Sequence, residues 1–219
     1  MSKVEFKRYT LKELIQSFEY GKMPDKKKVS EKGFPIYSGY RIAGYYPDYM
    51  YEREKLIVIA RGVGGVGKVK ISPQKSYITN LSIIFNENES LVNYQYLFYY
   101  LSDRSLRELD TGSCQSQITV NQLQEKTVFI PEIEYQDKIA SILNSIDAKI
   151  ELNNKINQEL EAMVKTLYDY WFVQFDFPFD FAQGKPNEQG KPYKSSGGKM
   201  VYNTELKREI PVGWEVKKL

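Results

Sequence analysis

The sequence predicts an α+β protein: one domain of mixed short strands and helices, followed by a long coiled-coil-forming helix. Three observations carry this reading. Short β-branched, apolar runs crowd the first part of the chain, the apolar period switches to threes and fours after Pro131, and no Gly or Pro interrupts residues 132–177.

The first element is a helix opening at Thr10, which stands three residues ahead of Glu13 in capping-box spacing. Strands follow at Leu56-Ile57-Val58-Ile59-Ala60, Gly67-Lys68-Val69-Lys70-Ile71 and Leu81-Ser82-Ile83-Ile84-Phe85. Asn93 is placed to cap a second helix from Tyr94 to Leu101. Then comes the stripe of Ile139, Ile142, Leu143, Ile146, Ile150, Ile156, Leu160, Met163, Val164 and Leu167, the face of one helix from about Tyr135 to about Val173. At about 1.5 Å per residue this helix is roughly 58 Å long, more than a domain of this size covers. Part of it must therefore pack on another helix. In heptad register, Lys149 and Asn153 fall at core positions, a polar break that weakens a coil but fixes its register. From about Phe177 the chain reads as irregular, with Gly184-Lys185-Pro186 and Gly190-Lys191-Pro192. The expected boundaries are an α+β domain over 1–134, a long helix over 135–175, a Gly/Lys/Pro-rich loop region over 176–213, and a faint echo of the amino-terminal residues over 214–219.

Composition excludes several activities. The 219 residues hold no histidine and one cysteine, so serine–histidine triads, His-ligated zinc and thiolate clusters have no residues to build them. Cys114 forms no intrachain disulfide, which fits a reducing cytosol. The amino terminus has no apolar stretch behind its charges and no apolar run reaches membrane-spanning length, so the expected location is cytoplasmic. A net charge of +3 is mild, and an acidic partner must be met by a local basic patch. Residues 1–135 carry 19 Lys and Arg against 16 acids, whereas 136–176 carry 4 Lys against 7 acids, which favours the first region as the one facing an anion.

Three segments are candidate binding motifs. Gly62-Val63-Gly64-Gly65-Val66-Gly67-Lys68 matches a phosphate-binding loop up to its last position, but Val69 stands where Ser or Thr is needed and a strand follows. A glycine turn with Arg61, Gly64 and Lys68 against a nucleic-acid backbone fits better. Tyr37, Ser38, Tyr40 and Arg41 form a second cluster suited to phosphates and base faces, although any single tyrosine is more often a half-buried strand residue. The third is the polar run Asp110 to Thr119, in which Ser113, Gln115, Ser116 and Gln117 offer groups for reading base edges, a surface loop being the plainer account. No carboxylate motif seats a metal, and an Asn/Asp-Pro-Pro-aromatic methyltransferase motif is absent, so no chemistry is expected of the chain itself.

Five segments in order give the chain its resemblance. Tyr37-Ser38-Gly39-Tyr40-Arg41-Ile42-Ala43-Gly44-Tyr45, Ala60-Arg61-Gly62-Val63-Gly64-Gly65, the run from Leu109 to Thr119, Ile130-Pro131-Glu132-Ile133-Glu134-Tyr135-Gln136-Asp137-Lys138-Ile139-Ala140, and Ile150-Glu151-Leu152-Asn153-Asn154 through Tyr170-Trp171-Phe172 resemble the DNA-specificity subunit of type I restriction-modification systems. The resemblance implies a target-recognition domain on double-stranded DNA, a spacer helix, and no catalysis by this chain. It also implies methyltransferase subunits that bind S-adenosylmethionine and methylate adenine, and a motor subunit that cuts. The usual member has two recognition domains and two antiparallel helices; this sequence has one of each, and 214–219 looks like the start of a second repeat. A homodimer paired through Ile139, Ile142, Ile146, Ile150, Ile156, Leu160, Met163 and Leu167, reading a bipartite palindrome, is therefore expected. The alternative is a non-catalytic protein- or RNA-binding scaffold that recruits partners through the helix.

Overall fold

The computed structural model describes residues 4–39, 41–62, 65–104, 106–110, 116–178 and 191–217. Its contacts divide into two compact units, 1–145 and 146–219.

The first unit opens with β1 (Lys7–Thr10) and α1 (Leu11–Leu14). The capping box forms: the Thr10 backbone N–H and hydroxyl both donate to the Glu13 carboxylate, at 2.6 and 2.8 Å. Accepting the Thr10 backbone N–H and then its hydroxyl holds the Glu13 pKa below its usual value. Next come β2 (Ile15–Tyr20), β3 (Phe34–Ser38), β4 (Arg41–Tyr46), β5 (Leu56–Ile59), β6 (Val69–Ile71), β7 (Tyr77–Ile78) and β8 (Ser82–Glu87). They build two sheets, a four-stranded one in the order β2-β8-β5-β6 and a three-stranded one in the order β4-β3-β7.

The period of two along β5 and β8 decides where the core lies. Leu56, Val58, Ile83 and Phe85 face one way and join Leu11, Leu14, Leu97, Leu101, Leu123 and Val128 in the main core. Ile57 and Ile84 face the other way and meet Ile78 of β7 and the half-buried Tyr37 of β3. The four-stranded sheet is thus covered on both faces, which is why β5 is an unbroken apolar run.

The helices α2 (Tyr94–Asp103) and α3 (Val120–Glu125) pack on the main core, and β9 (Thr127–Ile130) pairs with β1. Asn93 caps α2 as its chemistry predicts, its Oδ1 accepting from the Gln95 and Tyr96 amides at 2.9 and 3.0 Å. The long helix α4 spans Ile133–Tyr168 and continues as a π-helical turn over Asp169–Val173, so the expected extent to Val173 is reached with a change of winding. No helix among the described residues is long and apolar enough to cross a membrane.

The second unit corrects one expectation. The region after Phe177, read as irregular, contains the hairpin β10 (Met200–Asn203) and β11 (Arg208–Pro211). Asn203 Oδ1 accepts from the Glu205 and Leu206 amides and closes the turn, while Lys207 takes φ +51. The hairpin buries only the adjacent Ile210 and Pro211 and leaves Val201 and Tyr202 exposed, so its strands lack the apolar alternation that marks one in a sequence. Within this unit Trp214 stacks on Phe177, and Phe177 stacks on Tyr193. The repeated Gly-Lys-Pro segment lies largely outside the described residues.

Candidate nucleic-acid interface

The three motif segments, separated by up to 80 residues of chain, meet at the carboxyl end of β5. This follows from how the strand ends are tied. The Ala60 and Arg61 amides both donate to Leu81 O, at 2.8 and 3.2 Å, and Ile118 N–H donates to Ala60 O at 3.0 Å. Arg61 and Gln117 form an isolated antiparallel bridge. The Arg61 guanidinium lies 5.8 Å from the Tyr20 ring centre, a cation–π contact that holds an exposed cation without neutralising it.

The β3–β4 turn reaches the same place. Gly39 is buried at φ +63, and a methyl group on it would lie 3.9 Å from Ile59 Cγ2. Ser38 pairs with Arg41 across this turn. The Thr79 amide donates to Tyr37 O at 3.1 Å, and its hydroxyl donates to Ser38 Oγ at 3.3 Å. Arg41 is exposed at the hairpin tip, whereas Tyr37 is half-buried, and burial pushes its phenol pKa up. Tyr37 is thus partly a core residue, and the exposed cation of its motif is Arg41. Tyr40 lies outside the described residues.

The glycine segment is the β5–β6 connection. Ile59 N–H donates to Lys68 O at 2.9 Å and Gly67 N–H donates back to Ile59 O at 3.0 Å. Strand β6, not a helix, follows Lys68, so the helix amino terminus that a phosphate loop needs is missing here. Gly67 sits at φ +83, and a Cβ there would lie 2.5 Å from the Arg107 amide nitrogen. Its lack of a side chain serves an internal contact rather than the approach of a ligand. Lys68 is exposed beside it; Gly64 lies outside the described residues.

In the third segment Asp110 acts as the internal anchor. Its carboxylate accepts the Gln117 amide at 2.9 Å and the Ser116 hydroxyl. The Ser116 hydroxyl is therefore committed inward, while the Gln117 side chain, half-buried beside Arg61, remains the better candidate reader. Ser113, Cys114 and Gln115 lie outside the described residues. Thr119 and Gln122 form a second capping box that ends the segment and starts α3.

Arg41, Arg61, Lys68 and Gln117 are thus cations and an amide displayed around one strand end, a set fitted to phosphates and base edges. Sequence reasoning passed over Tyr20 and Thr79 and took Asp110 only as the start of its polar run, yet these three hold this set in place. Their signal was weak, because each is an ordinary residue until its distant partner is known. The helix residues Ile139, Ile142, Ile146, Ile150, Ile156, Leu160, Met163 and Leu167 are all exposed, from 37% at Ile139 to 61% at Ile142. Among the described residues no group of three or more carboxylate and thiol side chains is gathered as for a metal ion.

Comparison with known proteins gives a consistent picture. The chain is 33% identical over 129 residues to the MjaIX type I restriction enzyme specificity subunit of Methanocaldococcus jannaschii, covering 57% of this chain and 26% of that one. It is 34% identical over 100 residues to the HindI specificity subunit of Haemophilus influenzae, covering 43% and 22%. The fold matches the crystal structure of a type I restriction-modification S subunit from M. genitalium with a TM-score of 0.67 at 17% identity, over 80% of this chain and 48% of that one. The chain therefore spans about half of that solved subunit and about a quarter of the first two relatives. The model of the type I restriction modification DNA specificity domain matches residues 3–162, most of the chain, and the protein belongs to that family.

Proposed function

We propose that this chain is a non-catalytic DNA-recognition subunit of a type I restriction-modification complex, whose first unit reads double-stranded DNA with the surface around Arg41, Arg61, Lys68 and Gln117. The observation that carries the reading is the convergence of three separate motif segments on one strand end, with their cations exposed. Arginines and lysines there take phosphates, and Gln117 has the donor–acceptor pair that matches adenine in a major groove.

The exposed stripe from Ile139 to Leu167 supports pairing with a second helix. In this reading the second helix comes from another copy of the chain, so that two recognition units related by a two-fold read an interrupted palindrome. The methyltransferase subunits bring S-adenosylmethionine and methylate adenine within that site, and the restriction subunit joins through the same complex.

Co-expression of the chain with its methyltransferase subunits, followed by genome-wide mapping of methylated adenines, tests the whole reading. A bipartite palindromic motif is the expected result. An asymmetric motif removes the homodimer, and the absence of any motif removes DNA recognition in favour of a scaffold. On the mapped site, Gln117→Ala should shift base preference by about 1–3 kcal/mol at one position, whereas Arg61→Ala should weaken binding to all duplexes.

A further inference from the structure

We propose that the lysine-rich turn over residues 22–32 is a second DNA contact, a phosphate-binding strip lying beside the base-reading surface. The inference rests on the DNA-recognition reading above and extends it to residues outside the three motifs.

Charge is the first argument. Residues 22–32 hold Lys22, Lys26, Lys27, Lys28 and Lys32 against Asp25 and Glu31, a net of +3. The remaining residues of 1–135 balance 14 basic against 14 acidic side chains, so the entire positive excess of the first region sits in this one turn. All five lysines are exposed, and the ion pairs among the described residues, Lys7–Glu132 and Lys126–Glu108, involve none of them. Five like charges on so short a segment repel one another, and a polyanion relieves that repulsion while releasing its own counterions.

Placement is the second argument. Gly21 packs on β7 so closely that a Cβ would lie 2.2 Å from Thr79 O, and Lys22 N–H donates to Ile78 O at 2.9 Å. Thr79 is the residue that also bonds Tyr37 and Ser38, and Tyr20 is the ring under Arg61. The turn therefore leaves directly from the candidate interface. It ends on the opposite edge strand of the same sheet, where Ser30 and Tyr45 exchange two backbone bonds at 3.0 and 3.1 Å. From the outer side of β7 to the outer side of β4 is four strand spacings of about 4.8 Å, so the turn spans roughly 19 Å, enough to reach past the ~12 Å width of a major groove. With Arg61 and Gln117 at a groove, a basic strip that leaves the same interface is suited to meet the phosphates flanking it.

Rigidity is the third argument. Lys26–Lys28 is a 3-10 turn capped by Asp25, whose carboxylate accepts the Lys27 amide at 3.0 Å and whose carbonyl accepts the Lys28 amide at 3.0 Å. Tyr77 Oη donates to Met23 O at 3.4 Å. The ammonium groups are thus carried on a backbone tied at both ends, and binding orders less of the chain.

The experiment compares the full-length chain with K26Q/K27Q/K28Q and K26R/K27R/K28R. Each is titrated with a short duplex carrying the sequence that is methylated on co-expression and with a scrambled duplex, across a salt series. The glutamine variant should bind both duplexes more weakly, and its slope of log K against log salt should fall by about 2 to 3. The ratio of affinities for the two duplexes should not change, and the arginine variant should keep the wild-type slope. An unchanged slope in the glutamine variant overturns the proposal, as does a loss of slope that arginine fails to restore. If the wild type itself shows no preference between the duplexes, the recognition reading fails, while the slopes still decide whether the turn binds DNA.

Discussion

The two ends of α4 share one helical period and meet different fates. In its first turns Gln136 and Ala140 are fully buried in the recognition unit, and Asn144 bonds Tyr99 and Gln95. From Ser145 to Tyr168 every residue is exposed, apolar ones included. The face that packs within the chain is therefore Gln, Ala and Asn at spacings of four, and the face rich in Ile and Leu is the one left outside. A hydrophobic stripe reports that a helix has a partner but does not say that the partner belongs to the same molecule.

The buried glutamine explains how a polar face can serve as the attachment. Gln136 Nε2 donates to Pro131 O and Leu91 O at 2.8 and 3.1 Å, and its Oε1 accepts the Asn93 amide at 3.0 Å. Every polar atom of the side chain is used, which makes a buried amide affordable and fixes the helix start in one orientation. The distal stretch has no such fixture, and burial of its isoleucines and leucines awaits another surface.

The largest expected effect separates these two stretches outright. I156E together with L160E should abolish association through the distal helix in light scattering while leaving the melting of the recognition unit unchanged. Persistent association would show that the stripe is not the contact. Smaller, and in the opposite region, Q136M should destabilise the recognition unit by about 3 kcal/mol, because three backbone groups lose their partner; a chemical denaturation midpoint equal to that of the wild type would contradict this. A matched pair sharpens the contrast further. A140L overpacks a closed contact and should cost about 1–3 kcal/mol, whereas A162L on the exposed stretch should change stability by no more than about 0.5 kcal/mol.

The smallest effect is one of pH and touches the recognition unit alone. Burial, aided by the hydrogen bond to Glu19, pushes the Tyr51 phenol from 10.0 up to about 12. The folded state then holds a proton that the unfolded state gives up, so the contribution of Tyr51 is complete below about pH 10 and is lost as pH rises toward about 12. Urea midpoints measured on either side of pH 10 should fall less in Y51F than in the wild type.

Local chemistry made several elements readable from the residues. Thr10 with Glu13, Asn93 before α2, and the unbroken period after Pro131 each depend on neighbours within a few positions, and each appears in the structure. The hairpin β10–β11 escaped because its exposed Val201 and Tyr202 alternate with no polar face. Of the candidate site, the residue types were legible, but the separation of Arg41 from the half-buried Tyr37, and of Gln117 from the committed Ser116, was not. Those distinctions depend on Thr79 and Ile57, which sit elsewhere along the chain, and on Asp110 bonding the far end of its own segment.

The sequence by itself determined the α+β class, the long helix, the lack of histidine chemistry and the family resemblance, because composition and period are properties of neighbouring residues. Only the tertiary structure decided that three distant segments share one strand end, that the charge excess lies on a turn beside them, and that the attaching face of the helix is polar. Strand order and side-chain burial arise from contacts across tens of residues, and no local pattern encodes them.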